Sequence, residues 1–441
     1  MIIFNDKEKK IINNIKKYAE SINVTPRIAG GWVRDKILGF NSDDLDIALD
    51  KMSGYSFAQG LIEYLGITAG VYLISANPEK SKHLETAVVH IYDMDIDFVH
   101  LRTEKYTNSR IPQIELGTAE EDALRRDITI NALFYNIITD KIEDFTGKGI
   151  ADLNNEIIDT PLDPIVTLKD DPLRILRIFR FKIKLNFIIN ERFYEAIKIA
   201  EIREAFKNKV SAERVGKEIK KMINYKNGYI GLLEIAKCNF LEIILKPKID
   251  KSINIESMKL FINRLRETFS DEVEKSEIRL LIYLYICLHQ FSMIKTEKFF
   301  INQLIIKDSL KYSTILIKSC KTIEENLIIL HKTNLKNIST EKITSLVLDL
   351  GFLWKESLII FYCMSNCQYV VETILNIEEN NLNTRCFSTQ FKINGTFLLS
   401  KINIKNKKEI PTYLKKTKII EILNPSLEPE EILDKLFNCK I

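Results

Sequence analysis

The chain has 441 residues, of which 46% are hydrophobic and 28% are charged. This composition excludes a disordered or fibrous protein, and the length predicts about two to four domains. The 64 Lys and Arg residues nearly balance the 60 Asp and Glu residues, so the net charge of +4 does not by itself indicate a nucleic-acid partner.

Apolar segments and cysteines indicate the compartment. No apolar run approaches the roughly 20 residues that span a bilayer, so no membrane association is expected. The first residues lack a signal-peptide core, and they carry acidic residues without arginine, unlike a transit peptide. All seven cysteines lie from Cys238 onward without zinc spacing, which favours buried free thiols in a reducing compartment. We expect a cytoplasmic protein, with a nuclear or organellar location left open.

The first 150 residues mix short strands with helices. A strand is predicted before Gly30-Gly31 and a short helix after it, and residues 77–81 predict a turn. Leu45, Ile47 and Leu49 alternate with smaller or charged residues, as in a half-buried strand. Strands are predicted at 24–29, 44–50, 71–75, 86–91 and 95–101.

From about residue 170 the apolar residues repeat with the 3.6-residue period of helices. Helices are predicted at 172–184, 211–224, 258–268, 277–290, 340–352 and 353–374. The predicted fold is therefore α+β: a head with a small mixed β-sheet, followed by an all-helical remainder.

Two glycines between a strand and a helix form the first candidate site. Gly30 and Gly31 would let backbone N–H groups approach a phosphate closely, beside the positive start of the helix. Arg34 adds a cation near the same place. The alternative is an ordinary turn.

A pair of carboxylates follows. Asp44 and Asp46 lie two residues apart on a predicted strand, so both project from one face, about 6–7 Å apart. Carboxylates this close repel unless a cation lies between them, and Mg²⁺ prefers such oxygen ligands. The pair could hold two Mg²⁺ ions for phosphoryl chemistry. The alternative is an exposed strand without a metal.

The segment 170–180 predicts a helix with a charged half. At about 100° per residue, Asp171, Arg174, Arg177 and Arg180 share one half, and most apolar residues cluster opposite. The alternative is a salt-bridged surface helix, although two of the arginines have no acidic residue nearby in the sequence.

These motifs together resemble the class II nucleotidyltransferases, a family that contains the CCA-adding tRNA nucleotidyltransferases and the bacterial poly(A) polymerases. The family signature is similar to GGWVRD at 30–35 followed by DLD at 44–46. Further similar motifs are RRDITINA at 125–132, the segment 144–153, DPLRILR at 171–177 and SAER at 211–214. Residues 77–112 look most like the fungal-type CCA-adding enzymes. The resemblance covers residues 20–225.

The resemblance implies roles for further residues. Arg126, Asp127 and Asn131 would contact the ribose and phosphates, and Arg177 and Arg180 the triphosphate. Asp97 is either a third carboxylate near the metals or an exposed strand residue. Asp170 stands where the family usually has Glu. Glu213 and Arg214 would brace neighbouring helices rather than contact the substrate.

Asp171 and Arg174 would then choose the base. A carboxylate accepts and an arginine donates hydrogen bonds. Cytosine and adenine each present an amino donor beside a ring-nitrogen acceptor, whereas uracil and guanine present the reverse order. CTP and ATP would therefore be accepted without a nucleic-acid template.

The resemblance also implies the domain order and the reaction. We expect a catalytic head at 1–145, a helical neck at 146–235, a helical body at 236–335 and a tRNA-binding helical tail at 336–441. The expected reaction adds C, C and A to tRNA with pyrophosphate release, by a protein expected to be monomeric. Alternatives are an A-adding, CC-adding or poly(A)-polymerase-type enzyme, or a non-catalytic RNA-binding scaffold.

A lysine cluster near the C-terminus is a candidate RNA-binding surface. Seven lysines between 401 and 418 stand against one glutamate, Glu409. Such a cluster could follow a phosphate backbone by displacing counterions. The alternative is a solvated face in a lysine-rich chain. The residues chosen as RNA contacts are Lys407, Lys408, Lys415 and Lys416.

Overall fold

The computed structural model describes residues 2–41, 45–74, 86–105, 113–246, 252–275, 279–387, 390–402 and 407–438. The chain forms two compact units, Met1–Cys238 and Asn239–Ile441. None of the described helices combines the length and the hydrophobicity that a membrane span requires.

Seven of the described strands of the first unit form one mixed sheet. Its order is β3-β4-β5-β2-β1-β8-β9, and β2 and β5 run parallel while the other neighbours are antiparallel. The strands of the unit are β1 (Arg27–Ala29), β2 (Leu45–Leu49), β3 (Val71–Ile74), β4 (Thr86–Ile91), β5 (Met94–His100), β6 (Arg102–Lys105), β7 (Gln113–Leu116), β8 (Phe134–Asn136), β9 (Lys141–Glu143), β10 (Ile157–Ile158) and β11 (Ile188–Ile189).

Helices come before, between and after the strands of this unit. A 3₁₀ turn at Thr129–Asn131 leads into β8. The helices are α1 (Asp6–Ser21), α2 (Gly31–Ile37), α3 (Gly54–Leu65), α4 (Ala119–Leu124), α5 (Gly149–Asn154), α6 (Pro164–Asp170), α7 (Arg174–Leu185), α8 (Glu191–Ala196), α9 (Ala200–Lys209), α10 (Ala212–Ile223) and α11 (Tyr229–Lys237).

The start of helix α1 and its buried face follow from the local sequence. Asn5 and Glu8 form a capping box, in which each side chain accepts a hydrogen bond from the other residue's backbone N–H. Ile11, Ile12 and Ile15 are buried at helical spacing. The helix therefore packs one apolar face inward, and α3 is among its neighbours.

The described part of the second unit is helical. Helix α14 is buried from Leu280 to Leu288, so it runs through the core of the unit rather than along its surface. The helices are α12 (Leu241–Leu245), α13 (Ile255–Lys275), α14 (Arg279–Leu288), α15 (Ile301–Leu304), α16 (Thr314–Lys332), α17 (Thr340–Leu350), α18 (Trp354–Ser365), α19 (Tyr369–Glu379), α20 (Leu382–Cys386), α21 (Gly395–Lys401), α22 (Ile410–Leu423) and α23 (Pro429–Asn438).

The α+β prediction is confirmed, and the predicted strands match β1 to β5 closely, although β1 begins three residues late, at Arg27. The single helix predicted at 353–374 is wrong. Two helices, α18 and α19, occupy this segment, because Asn366 has a left-handed backbone with φ of 56° that ends α18. Asparagine adopts this conformation more readily than most residues. The turn predicted at 77–81 lies outside the described residues.

Candidate nucleotide-binding site

Gly30 connects β1 to α2 in a conformation that favours glycine. Its φ is 69°, and a Cβ there would lie 2.6 Å from Nη1 of Arg126 and 3.3 Å from the carbonyl oxygen of Asn131. Gly31 begins α2. The glycine pair therefore brings the start of this helix against the segment 126–131, a close approach that no other residue would allow without a shift.

Arg34 lies below the surface rather than in solvent. The side chain is 3% exposed, and it donates to the carboxylate of Asp35 at 2.6 Å and to the side-chain oxygen of Asn131. Asp35 also accepts a bond from Lys184 on α7, at 3.2 Å. The charge of Arg34 is therefore part of a small ionic network with Asp35 and Lys184.

Arg125 and Arg126 share one carboxylate, that of Asp122 on α4. Arg126 donates to it at 2.8 Å through Nη2, and Arg125 donates at 3.0 Å through Nε. Burial acts to raise the pKa of Asp122, but the two arginines outweigh it and lower the pKa. The carboxylate therefore stays ionised and holds both guanidinium groups in place, while Arg126 also donates to the carbonyl of Asn131.

Asp127 links the 3₁₀ turn to helix α7. Its carboxylate accepts bonds from Arg177, at 2.6 Å and 2.8 Å, and from the amide of Asn131 at 3.1 Å. Burial alone would raise its pKa, but the charge of Arg177 and these hydrogen bonds lower it to about 2. Three of the residues chosen from the sequence, Asp127, Asn131 and Arg177, thus form one connected group.

We expect Asp127→Asn to lower the free energy of unfolding by about 2 kcal/mol or more at neutral pH, because the ion pair with Arg177 is lost. A carboxylate whose pKa is depressed by folding stabilises the protein above its unfolded pKa of about 4, and this contribution disappears as pH falls towards 2. Urea unfolding at several pH values measures the difference between wild type and variant. A difference that stays the same from pH 7 to pH 2 would contradict the ionised assignment.

Asp46 has a second carboxylate as its direct neighbour in the sheet. Asp46 on β2 and Asp97 on β5 are paired residues of two parallel strands, which lie about 4.8 Å apart in a sheet. Asp46 is exposed and Asp97 is half-buried. Asp44 lies outside the described residues, within which no group of three His, Cys, Asp or Glu side chains forms a metal site.

The four charged residues predicted on one helix do not all lie on it. Helix α7 begins at Arg174, and Asp171 ends the preceding helix α6 with an extended backbone, φ of −134°. Its carboxylate accepts bonds from Arg214 at 2.7 Å and from the backbone N–H of Leu173 at 3.1 Å. The placement of Asp171 on the helix was therefore wrong, because the turn at 171–173 intervenes.

The arginines of α7 have acidic partners that come from distant parts of the chain. Arg177 pairs with Asp127, and Arg180 pairs with Glu218 on α10 at 2.6 Å. Arg174 is buried and donates to the carbonyl oxygens of Thr167, at 3.1 Å, and Arg125, at 2.5 Å. Neither partner is close in the sequence, since Asp127 lies 50 residues from Arg177 and Glu218 lies 38 residues from Arg180.

Some residues of the site could not be chosen from the sequence. Asp122 gives one sequence signal, since it lies three and four residues before the paired arginines, the spacing of helical ion pairs. Lys184 gives none, because its contact with Asp35 depends on how α7 packs.

Known proteins are similar to this chain in sequence. The family model described as "Poly A polymerase head domain" matches residues 26–159. The tRNA nucleotidyltransferase cca2 of Schizosaccharomyces pombe is 37% identical over 409 residues, covering 85% of this chain and 84% of that one. The mitochondrial CCA tRNA nucleotidyltransferase of Saccharomyces cerevisiae is 41% identical over 299 residues, covering 63% of this chain and 55% of that one.

Solved structures share the fold. The Thermotoga maritima CCA-adding enzyme complexed with tRNA superposes with a TM-score of 0.70 at 21% identity, covering 98% of this chain and 95% of that one. CCA-adding enzymes in complex with ATP and with CTP superpose with TM-scores of 0.72 and 0.71, at the same identity and coverage.

Proposed function

The chain belongs to the family of tRNA nucleotidyltransferases, and on that premise we propose that it adds C, C and A to the 3′ end of tRNA without a template, from CTP and ATP. The observation that carries the proposal is the pairing of Asp46 with Asp97 on parallel strands, in the same unit as the network of Arg126, Asp127 and Arg177. Carboxylates for a metal and cations for a triphosphate are the two requirements of nucleotidyl transfer.

In the proposed reaction the 3′-hydroxyl oxygen of the tRNA forms a bond to the α-phosphorus of the nucleotide. The bond between the α-phosphorus and the bridging oxygen breaks, and pyrophosphate leaves in line with the attacking oxygen. Little covalent chemistry is asked of the protein, so its residues act by positioning the two substrates and by balancing charge.

Asp44 and Asp46, with Asp97 as a third candidate, would hold the metal. The donor set fits Mg²⁺, because all three are carboxylates and Asp46 is exposed beside Asp97. Two Mg²⁺ ions bound there would promote deprotonation of the attacking hydroxyl and stabilise the leaving pyrophosphate.

Cations and backbone N–H groups would hold the triphosphate. Gly30 and Gly31 would offer the backbone N–H groups, and Arg34, Arg177 and Arg180 the positive charge. Arg126, with Asp127 and Asn131, would contact the ribose and phosphates: Asp127 is ionised at neutral pH, so it can accept a bond from a ribose hydroxyl.

Asp171 and Arg174 would read the base. An ionised carboxylate accepts about four hydrogen bonds, and Asp171 uses two of these positions for Arg214 and Leu173, which leaves room for an exocyclic amino group. Burial acts to raise the pKa of Asp171, but Arg214 outweighs it, so the acceptor stays ionised. Arg174 uses two of its five N–H donors on backbone carbonyls.

The larger organisation remains part of the proposal. We propose a head at 1–145, a neck at 146–235, a body at 236–335 and a tRNA-binding tail at 336–441, in a protein that acts as a monomer in the cytoplasm, with a nuclear or organellar location left open. The boundary between the two compact units, between Cys238 and Asn239, lies near the proposed end of the neck.

The lysines proposed to contact RNA differ in their surroundings. Lys416 on α22 is exposed, whereas its neighbour Lys415 forms an ion pair with Asp349 at 2.6 Å. Lys408 is exposed as well. The side chain of Lys407 is not among the side chains that the structure describes. An ion-paired lysine is already neutralised, so it should contribute less to phosphate binding than an exposed one.

We therefore expect Lys416→Ala to weaken tRNA binding more than the matched variant Lys415→Ala. Each lost phosphate contact should reduce the slope of log K against log salt by roughly 0.7–0.9. Titrations of tRNA at several salt concentrations measure this slope, and the quadruple replacement of Lys407, Lys408, Lys415 and Lys416 extends the series. An unchanged slope in the quadruple variant would identify these lysines as a solvated face.

The experiment that tests the proposal supplies a tRNA lacking its last three nucleotides with CTP, ATP and Mg²⁺. The proposed activity predicts a product three nucleotides longer. A long homopolymer would indicate a poly(A) polymerase, a shorter extension an A-adding or CC-adding enzyme, and RNA binding without extension a non-catalytic scaffold.

A further inference from the structure

Three arginines of the proposed triphosphate site converge on one aromatic ring, that of Phe181. The guanidinium carbon lies 4.2 Å from the ring centroid for Arg180, 5.3 Å for Arg34 and 5.9 Å for Arg177. Phe181 belongs to α7 and is 6% exposed. Arg34 comes from α2, so the ring connects two helices that are far apart along the chain.

We infer that Phe181 is a positioning residue, which holds these three guanidinium groups ready for the phosphates of the incoming nucleotide. The inference rests on the proposed role of the arginines in binding the triphosphate. An aromatic face attracts a cation electrostatically, and it does so more strongly where water is excluded, as at this buried ring.

The aromatic ring restricts the orientation of the three guanidinium groups without using their N–H donors, which the ion pairs of these arginines do not do. Each arginine has a carboxylate partner: Asp35 for Arg34, Asp127 for Arg177 and Glu218 for Arg180. These carboxylates hold the charged guanidinium groups in place, but each of them also accepts hydrogen bonds from N–H donors of its arginine. Contact through the flat face restricts the side chain and leaves the remaining N–H groups at the edge, where phosphate oxygens bind.

Phe181→Leu tests the inference by removing the aromatic face while keeping an apolar side chain. We expect the inhibition constant of pyrophosphate and the KM for CTP and ATP to rise about tenfold, which corresponds to about 1.4 kcal/mol. The kcat should fall less, and discrimination against UTP and GTP should stay, because the base contacts belong to Asp171 and Arg174.

The matched control is Phe179→Leu, two residues away on the same helix. Phe179 is fully buried and packs edge-on against Phe193, with no arginine among its described ring contacts. This variant should lose thermal stability without any change in pyrophosphate inhibition. If both leucine variants raise the pyrophosphate constant equally, Phe181 is merely part of the core and the inference is overturned.

A fluorinated phenylalanine series at position 181 avoids the risk of misfolding, because fluorine weakens the ring's attraction for cations with little change in size. Pyrophosphate inhibition should weaken stepwise with each added fluorine. A flat series in an enzyme that still extends tRNA and is inhibited by pyrophosphate would overturn the inference alone. A wild-type protein that fails to extend tRNA would instead overturn the proposed function.

Discussion

Asp46→Ala and Asp44→Ala are each expected to reduce nucleotide transfer by about a thousandfold or more, while tRNA binding survives. A bound metal contributes several kcal/mol of charge stabilisation to the transition state, and each 1.36 kcal/mol corresponds to about tenfold in rate. Because the lysine cluster proposed to hold the tRNA lies in the other compact unit, losing one carboxylate should leave RNA affinity nearly unchanged.

The strand β5 offers a matched control for this loss. Asp97→Ala should reduce transfer, since Asp97 is the sheet partner of Asp46. Asp95 lies two residues before Asp97, and its exposed carboxylate is 2.7 Å from Nδ1 of His90. Asp95→Ala removes this carboxylate and should leave transfer intact. Single-turnover extension and tRNA titration on each variant separate the two effects. Near-normal extension by Asp46→Ala in Mg²⁺ would contradict the metal assignment.

Asp171→Ala is expected to weaken discrimination against UTP and GTP by about 1–3 kcal/mol, or roughly 5- to 150-fold in kcat/KM. The substitution removes the acceptor proposed to bind the exocyclic amino group of cytosine and adenine. The overall rate should fall too, because a loosely held base misplaces the α-phosphate. The measurement is kcat/KM for all four triphosphates on a tRNA without its last three nucleotides.

Asp127→Asn is the control for Asp171→Ala. Asp127→Asn breaks the ion pair with Arg177, and Asp171→Ala breaks the ion pair with Arg214. Both ion pairs lie in the first compact unit. Asp127 has no proposed contact with the base, so its variant should lower kcat/KM for CTP and ATP without admitting UTP or GTP. If Asp171→Ala slows the reaction but excludes UTP and GTP as strictly as before, Asp171 is not the base reader.

Local patterns were sufficient to predict the strand that carries Asp46. The alternation of Leu45, Ile47 and Leu49 reflects burial on one face, which is a property of the strand itself, and all three are buried. The neighbouring carboxylate was less certain from the sequence. Asp97 emerges as the partner of Asp46 only through the parallel register of two strands that are separated by a helix and two other strands.

The charged residues of α7 show why other contacts of the candidate site could not be predicted from the sequence. Its arginines looked unpaired because their acidic partners, Asp127 and Glu218, lie on other elements, and sequence spacing reports only neighbours within a helix. The contact of Arg34 with Phe181 likewise depends on how α7 packs against α2, whereas Arg177 and Arg180 lie on the same helix as the ring.

The most direct test of the proposed activity offers one triphosphate at a time to tRNAs that end one, two or three nucleotides short. CTP alone should extend the shortest tRNA by two nucleotides and stop, and ATP alone should extend only the tRNA that already ends in CC, by one nucleotide. Labelled products resolved to single nucleotides show each step. Incorporation of C without A, of A without C, or of UTP or GTP at a similar rate would contradict the account.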